Sequence, residues 1–444
     1  MQAFLDQLMK AALAAGIEAA EAYLVEKDSF SVLTNRGDLG DYQSNMTRGL
    51  GFRGLVNGRM GYAATEAFDE ESIAQLIKGV LESARLCEDT DTEFLHQGGD
   101  SVPELNLYNP ELDKVTAADK LAMVFKLDET CRALDSRVKN GYNAVETSKA
   151  TVRIVNTYGM DRSYTENICV AQAEVNAEDE GFVSSSGYLA YDRDVNAIDI
   201  SALAKEAVTR AVNGLHATSI PSGKYRIVLH HDALVSLLGV FSSVFSAESA
   251  QKGMSLLKGK LGETIAAPCV TITDDPLLPD GPNSRPFDAE GVASKAHVVV
   301  ENGVFRTFLH NLKTAHKDGV ETTGNAGKAG YSSSVHVKPS NFFFAKGEKT
   351  FDELLADVGD GLVITSVSGL HAGANPVSGD FSLLSKGYTF QGGKREKSVE
   401  QITVAGNFYE LLKNIRAFAD DLTFPGSAVG SPSADVGELS VSGN

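Results

Sequence analysis

Only four cysteines occur in the 444-residue chain, Cys87, Cys131, Cys169 and Cys269, and no two form a CxxC or CxxxC pair. That spacing argues against a disulfide framework or a zinc knuckle and fits reduced thiols buried as small hydrophobes. Positive charge is also short. Forty Lys and Arg (40) stand against 59 Asp and Glu, a formal net of -19, and no basic run interrupts the acidity. Nucleic-acid affinity rests on cations that displace counterions from phosphates, so no direct nucleic-acid partner is expected. Long apolar runs are missing too. The most apolar segment, Leu234 to Ala247, is broken by four serines and is too short to span a bilayer. The first twenty residues lack the unbroken apolar stretch of a signal peptide. The expected address is therefore the cytoplasm, with no membrane partner. No GxSxG elbow appears, and the GxxxxG run from Gly319 to Gly324 continues with Asn325 and Ala326 where a phosphate loop needs Lys and Ser/Thr. The Gly-rich stretch to Gly330 reads as a flexible or substrate-facing loop.

Hydrophobic residues make up 43% and charged residues 22%, an ordinary globular balance. The length exceeds one ordinary core and predicts two or three domains. Phe4, Leu5, Leu8, Ala12 and Leu13 share one face of a helix over Met1 to Ala15. A second helix is expected over 69–86 with Asp69 as its N-cap, a third from the capping box Thr116–Asp119 to about Leu134, and a fourth over 200–212. Short strands are expected at 22–25, 30–33, 49–56 and 60–64, with Asn57-Gly58 as a two-residue hairpin turn. Residues 88–115 form a polar connecting stretch punctuated by Pro103 and Pro110. His216 to Lys224 reads as a linker, which puts the domain boundary there. Beyond it come a strand at 225–230, a long helix at 232–250, hairpins about Asn302-Gly303 and Gly392-Gly393, and a late helix at 407–420. The fold class expected is α+β, with an N-terminal mixed domain over 1–215 and a strand-rich domain over 225–444, its sheet mostly antiparallel.

Several stretches together resemble the TldD/PmbA family, once described as modulators of DNA gyrase. Residues 36–65 (RGDLGDYQSNMTRGLGFRGLVNGRMGYAAT) look like its N-terminal hairpin region. Residues 262–275 and 288–312 match its central segment, and Asn375-Pro376-Val377-Ser378-Gly379-Asp380-Phe381 with Ala405-Gly406-Asn407 is similar to its C-terminal signature. The active branch of that family carries HExxxH on a helix. Two imidazoles there hold zinc and the Glu takes a proton from the metal-bound water. The corresponding segment here is degenerate: Leu238, Gly239, Val240, Ser243 and Val244 fall where the motif belongs, and between His231 and Glu248 there is no His or Glu. The C-terminal Cys of the active branch is missing as well, since the last cysteine is Cys269.

The resemblance therefore implies a PmbA/TldE-type subunit with no catalytic or metal-binding residue and no cofactor of its own. Zinc is expected on a TldD-like catalytic partner, unfolded peptides as substrates, and a homodimer when the chain is isolated. A standalone peptidase with an unrecognised metal site, or a peptide-binding scaffold, are the alternatives.

Residue by residue, His230-His231-Asp232 invites a metal reading, but neighbouring strand residues point to opposite faces and Asp232 serves equally as a helix N-cap. His310 and His316, in an HxxxxxH spacing, and His371, between small residues, are the remaining cavity-facing candidates; His297 completes the histidines from which a compensating zinc site could be built. The pairs Asp274-Asp275 and Asp420-Asp421 read as solvated or capping.

Overall fold

The computed structural model describes residues 1–88 and 91–444; residues 89 and 90 of the connecting stretch lie outside it. Six strands form one antiparallel sheet: β1 (Ala19–Asn35), β2 (Asp38–Val56), β3 (Arg59–Thr65), β4 (Val138–Asn156), β5 (Asp161–Asp179) and β6 (Phe182–Asp192), in the order β3-β2-β1-β4-β5-β6. The runs expected at 22–25 and 30–33 are parts of a single strand of 17 residues. Its middle, Glu26 to Ser29, is polar on both faces, which hid its continuity. Asn57 and Gly58 adopt φ of 48° and 73°, the left-handed pair that a two-residue hairpin requires.

Four helices back one face of this sheet: α1 (Gln2–Ala14), α2 (Glu70–Leu86), α3 (Ala117–Leu134) and α4 (Ile200–Asn213). Their ends follow the sequence. Asp69 accepts from the Ser72 amide at 2.8 Å, and Thr116 and Asp119 close a reciprocal capping box. Ala20, Ala22 and Leu24 of β1 pack with α1 and α2, while Phe30 and Val32 pack with the core of α3 and α4. Strand side chains alternate between faces, so these even-numbered positions define the helix side. Cys131 and Cys169 are buried in that core as expected, whereas Cys269 is exposed.

In the second half, β7 (Gly223–Leu229) lies in a six-stranded sheet with strands 361–368, 380–391, 394–407, 417–418 and 434–442. All its pairings are antiparallel except that of β7 with 361–368. Strand 394–407 also pairs with 434–442, which closes five strands into a ring. Strands 272–274, 297–301, 304–305, 342–344 and 429–430 form a second, five-stranded sheet. Between them runs α5 (His231–Phe241), with Leu234, Leu237, Leu238 and Phe241 in the core and Phe241 stacked on Phe408 at 4.5 Å.

The single helix expected over 232–250 is broken. A 3-10 turn covers Ser242–Phe245, Ser246 is extended, and a short helix resumes over Ala247–Gln251. Gly239, Ser242 and Ser243 are poor helix formers, and Ser242 Oγ donates back to the Gly239 carbonyl at 2.8 Å. The tighter turn carries Val244 and Phe245 into the core. The helix expected over 407–420 likewise stops at Asn414, and Ala417–Phe418 is an edge strand. No helix among the described residues is long and apolar enough to cross a membrane.

Candidate functional site: a cationic cleft and a degenerate metal motif

The face of the six-stranded sheet away from the helices is built of different residues. Register places Tyr23, Val25 and Lys27 of β1 beside Ile154, Val152 and Ala150 of β4, and these beside Arg162, Tyr164 and Glu166 of β5. On the other side, Tyr23 is opposite Gly51 and Val25 opposite Gly49. The glycines are needed there. A Cβ on Gly51 would stand 1.8 Å from the Tyr331 carbonyl oxygen, and one on Gly49 would stand 2.2 Å from the Tyr331 ring. A loop of the second half thus lies directly on β2, and the Tyr331 hydroxyl reaches Glu66.

Beside this notch Arg53 is buried between two carboxylates. Its Nε donates to Glu21 at 2.8 Å and its Nη1 to Glu290 at 3.2 Å, so one guanidinium ties the sheet to the second half. Burial opposes its charge, but the two carboxylates more than offset this and raise its pKa. Glu290 Oε2 also accepts from the Leu312 amide at 2.8 Å. Burial raises the Glu290 pKa, with Arg53 pulling against it. The neighbouring Asp288 is saturated by backbone: it accepts from the amides of Glu290, Val292 and Ala326 at 2.9, 3.0 and 2.9 Å.

Between the sheet face and segments 283–289 and 327–331 is a cavity of about 410 Å³. Its charged lining is Lys27, Arg285, Lys328 and Lys338 against Glu166 and Asp288. Lys328 Nζ lies 4.8 Å over the Tyr23 ring and donates only weakly, at 3.4 Å, to the Tyr331 carbonyl. Burial, with help from Arg53, lowers its pKa to about 8. The Arg285 Nε and Nη2 atoms are buried with no acceptor. Burial also raises the pKa of Glu166, and it pushes Tyr23 up to about 12.

The segment compared above with HExxxH lies elsewhere, along α5 and the turn after it. Leu238 and Val244 are buried in the core, Val240 is half-buried, and Gly239 and Ser243 are exposed. Open space surrounds the position that a Cβ on Gly239 would take. Apolar groups, a glycine and one hydroxyl do not form a zinc donor set, so these residues do not fit the metal of the active branch.

Among the described residues, His230, His231 and Asp232 do bring ligand-type atoms within 4.8 Å of one another. The expectation of opposite faces fails here because the strand has ended. The two ring centroids lie 3.8 Å apart with the planes tilted by 38°, and His230, not Asp232, is the N-cap of α5. The carboxylate of Asp232 is already engaged by Arg210 Nη1 at 2.6 Å. Burial raises the Asp232 pKa, but the two histidines beside it and the charge of Arg210 outweigh it and hold the group ionised. The geometry is that of an ion-pair network.

The other candidates do not converge. His310 is buried, with its Nδ1 unpartnered and its pKa lowered by burial. His316 is exposed against the Phe94 ring at 5.2 Å, and His371 is exposed in the turn Leu370–Gly373. None of the three borders the cleft. Asp274, read as solvated or capping, is fully inaccessible. It accepts from Ser340 N and Oγ at 2.7 and 2.9 Å and from Asn325 Nδ2 at 2.6 Å, and burial pushes its pKa up to about 6. The Asn375–Phe381 signature is a structural joint. Asn375 Oδ1 accepts from the amides of Val377 and Ser378, and Asn407 Nδ2 donates to Ser378 O and Asp380.

A helix-backed antiparallel sheet joined to a closed ring of strands is the architecture of a metallopeptidase family with three recognised parts. The PmbA/TldA metallopeptidase domain 1 matches residues 20–84, the central domain 110–215 and the C-terminal domain 222–443. The chain belongs to the PmbA/TldD family. A crystal structure from Thermotoga maritima, of a protein designated a modulator of DNA gyrase, is 33% identical with a TM-score of 0.92, covering 99% of this chain and 100% of that one. Escherichia coli O157:H7 metalloprotease PmbA is 24% identical over 413 residues, 91% of this chain and 88% of its own. A Haemophilus influenzae metalloprotease TldD homolog is 26% identical over 424 residues, 91% and 86%. Relatives named for both branches thus match at similar identity, and overall likeness does not assign the branch.

The residues of the cleft are dispersed from 23 to 338 in sequence, and apart from Gly327 to Gly330, which fall in the Gly-rich stretch read as a flexible or substrate-facing loop, sequence reasoning missed them. The signal that was available is Gly49 and Gly51 at a spacing of two, which marks one strand face that another backbone approaches.

Proposed function

We propose that the chain is the non-catalytic, PmbA/TldE-type subunit of a TldD/TldE-type zinc metalloprotease that processes unfolded peptides. The observation that carries this reading is the segment 238–244, which offers no imidazole, carboxylate or thiolate where the active branch has its HExxxH. The metal and the base then come from a TldD-like partner, and this chain contributes structure and peptide contacts in a cytoplasmic complex. Purified without that partner, it forms a homodimer, because an interface meant for a sister subunit would otherwise stay open to water.

The test is peptidase activity on an unfolded peptide, measured for this chain, for a TldD-type protein and for the mixture, each with and without a chelator. Chelator-sensitive cleavage that requires the mixture supports the proposal. Chelator-sensitive cleavage by this chain alone overturns it.

A further inference from the structure

We infer that the cleft between the six-stranded sheet and segments 283–289 and 327–331 binds a carboxylate group of an extended peptide, with Arg285 and Lys328 as its counter-charges. The inference rests on the reading that this chain handles peptides, and it adds which part of the peptide is held and where.

Charge is the first argument. The chain carries a formal net of -19, yet the cleft gathers four cations, Lys27, Arg285, Lys328 and Lys338, against two carboxylates. One of those carboxylates, Asp288, already accepts three backbone amides. It offsets Arg285 through space, as do Asp274 and Glu166. The other, Glu166, lies on the floor, where burial disfavours its ionised form.

Idle donors are the second argument. A buried N–H without an acceptor forfeits the hydrogen bond it had in water. The Arg285 Nε and Nη2 atoms form one edge of the guanidinium, and both are buried without acceptor. That edge has the shape to pair with the two oxygens of a carboxylate once the side chain, whose Nε and Nη2 now have almost no accessible surface, turns toward the cavity that Arg285 lines. The Lys328 ammonium also lines this cavity, held over Tyr23 and bonded only at 3.4 Å to a carbonyl.

Shape is the third. The cavity of about 410 Å³ is walled by Tyr23, Tyr164 and Phe287 and floored in part by Ala150 and Val152. Lys27, Ala329 and Gly330 are exposed and mark its mouth. An apolar-walled pocket with a few convergent charged groups suits a peptide residue that ends in a carboxylate. The notch at Gly49 and Gly51 holds the 327–331 segment against the sheet, so the Lys328 ammonium is positioned before any ligand arrives.

The experiment is calorimetric titration of the isolated chain with three probes: N-acetyl-trialanine with a free C-terminus, its C-terminal amide, and the amide N-acetyl-Ala-Glu-Ala-NH2. The free acid is expected to bind and the trialanine amide is not. Binding of the glutamyl amide assigns the site to internal acidic side chains, and its failure assigns the site to chain termini. Arg285→Gln is expected to weaken the acid by about 30-fold, the scale on which loss of one member of a buried charge pair acts. Lys328→Met is expected to weaken it less, and Arg285→Lys to restore part of the loss.

Melting curves accompany each variant. Should Arg285→Gln unfold, the acid-against-amide contrast on the unsubstituted chain still decides. Equal binding of acid and amide, or no binding of any probe, overturns the inference. Because no partner or protease activity enters the titration, its failure is distinguishable from failure of the subunit reading.

Discussion

The two faces of the N-terminal sheet are made from the same strands and obey different rules. On the helix side, β1 presents Ala20, Ala22 and Leu24, all buried against apolar neighbours. One residue out of step, on the other side, it presents Glu21, Tyr23 and Lys27, which meet Arg53, Lys328 and the cleft. The first face is stabilised by area removed from water, which is tolerant of exact partners. The second holds buried charge, which is stable only when each group finds its counterpart. Buried donors without acceptors, Arg53 Nη2 of β2 and the Arg285 edge of the segment above it, gather at the second face, against the single hydroxyl of Thr34 on the helix side of β1. A surface of that kind is built for something besides packing.

The comparison can be broken most sharply at Arg53. Arg53→Met leaves Glu21 and Glu290 buried without their shared cation and is expected to cost about 3–5 kcal/mol in a urea melt. A loss near zero would mean that the two faces are energetically alike. Leu24→Ala on the helix side removes apolar contact and is expected to cost about 3 kcal/mol while leaving carboxylate binding in the cleft unchanged. Gly51→Ala forces the Tyr331 carbonyl off β2. The expected cost is smaller, about 1–3 kcal/mol, but carboxylate binding should fall because the 327–331 segment is lifted.

The gentlest probe is pH. Asp274 has its pKa raised to about 6 on folding, so the folded chain retains a proton that the unfolded chain has released. That stability is fully present below the ordinary carboxylate range, near about pH 4, and is lost as pH rises through about 6. Urea midpoints should therefore fall across that window, and Asp274→Asn should flatten the fall.

The sequence was legible where local chemistry decides structure. Asp69 and Thr116–Asp119 cap helices as their side chains dictate, and Asn57-Gly58 turns the hairpin that its positive φ angles allow. It was less legible where tertiary contacts decide. The polar middle of β1 concealed a continuous strand that its neighbours β2 and β4 hold extended. The helix at 232–250 broke because the core takes Val244 and Phe245 through a tighter turn. Asp274 read as solvated because nothing nearby in sequence announces Asn325 and Ser340, which satisfy it from 51 and 66 residues away. The lack of any His or Glu between His231 and Glu248 is read directly from the sequence, whereas the cleft needed the strand register to assemble it.

The most direct test of the account is the zinc content of this chain purified alone and of its complex with a TldD-type protein, measured on the same peptidase samples. The account predicts no stoichiometric zinc on the chain alone, and zinc entering only with the partner, together with activity. Stoichiometric zinc on the isolated chain would contradict it and would turn attention to His230, His231 and Asp232 as the first residues to substitute.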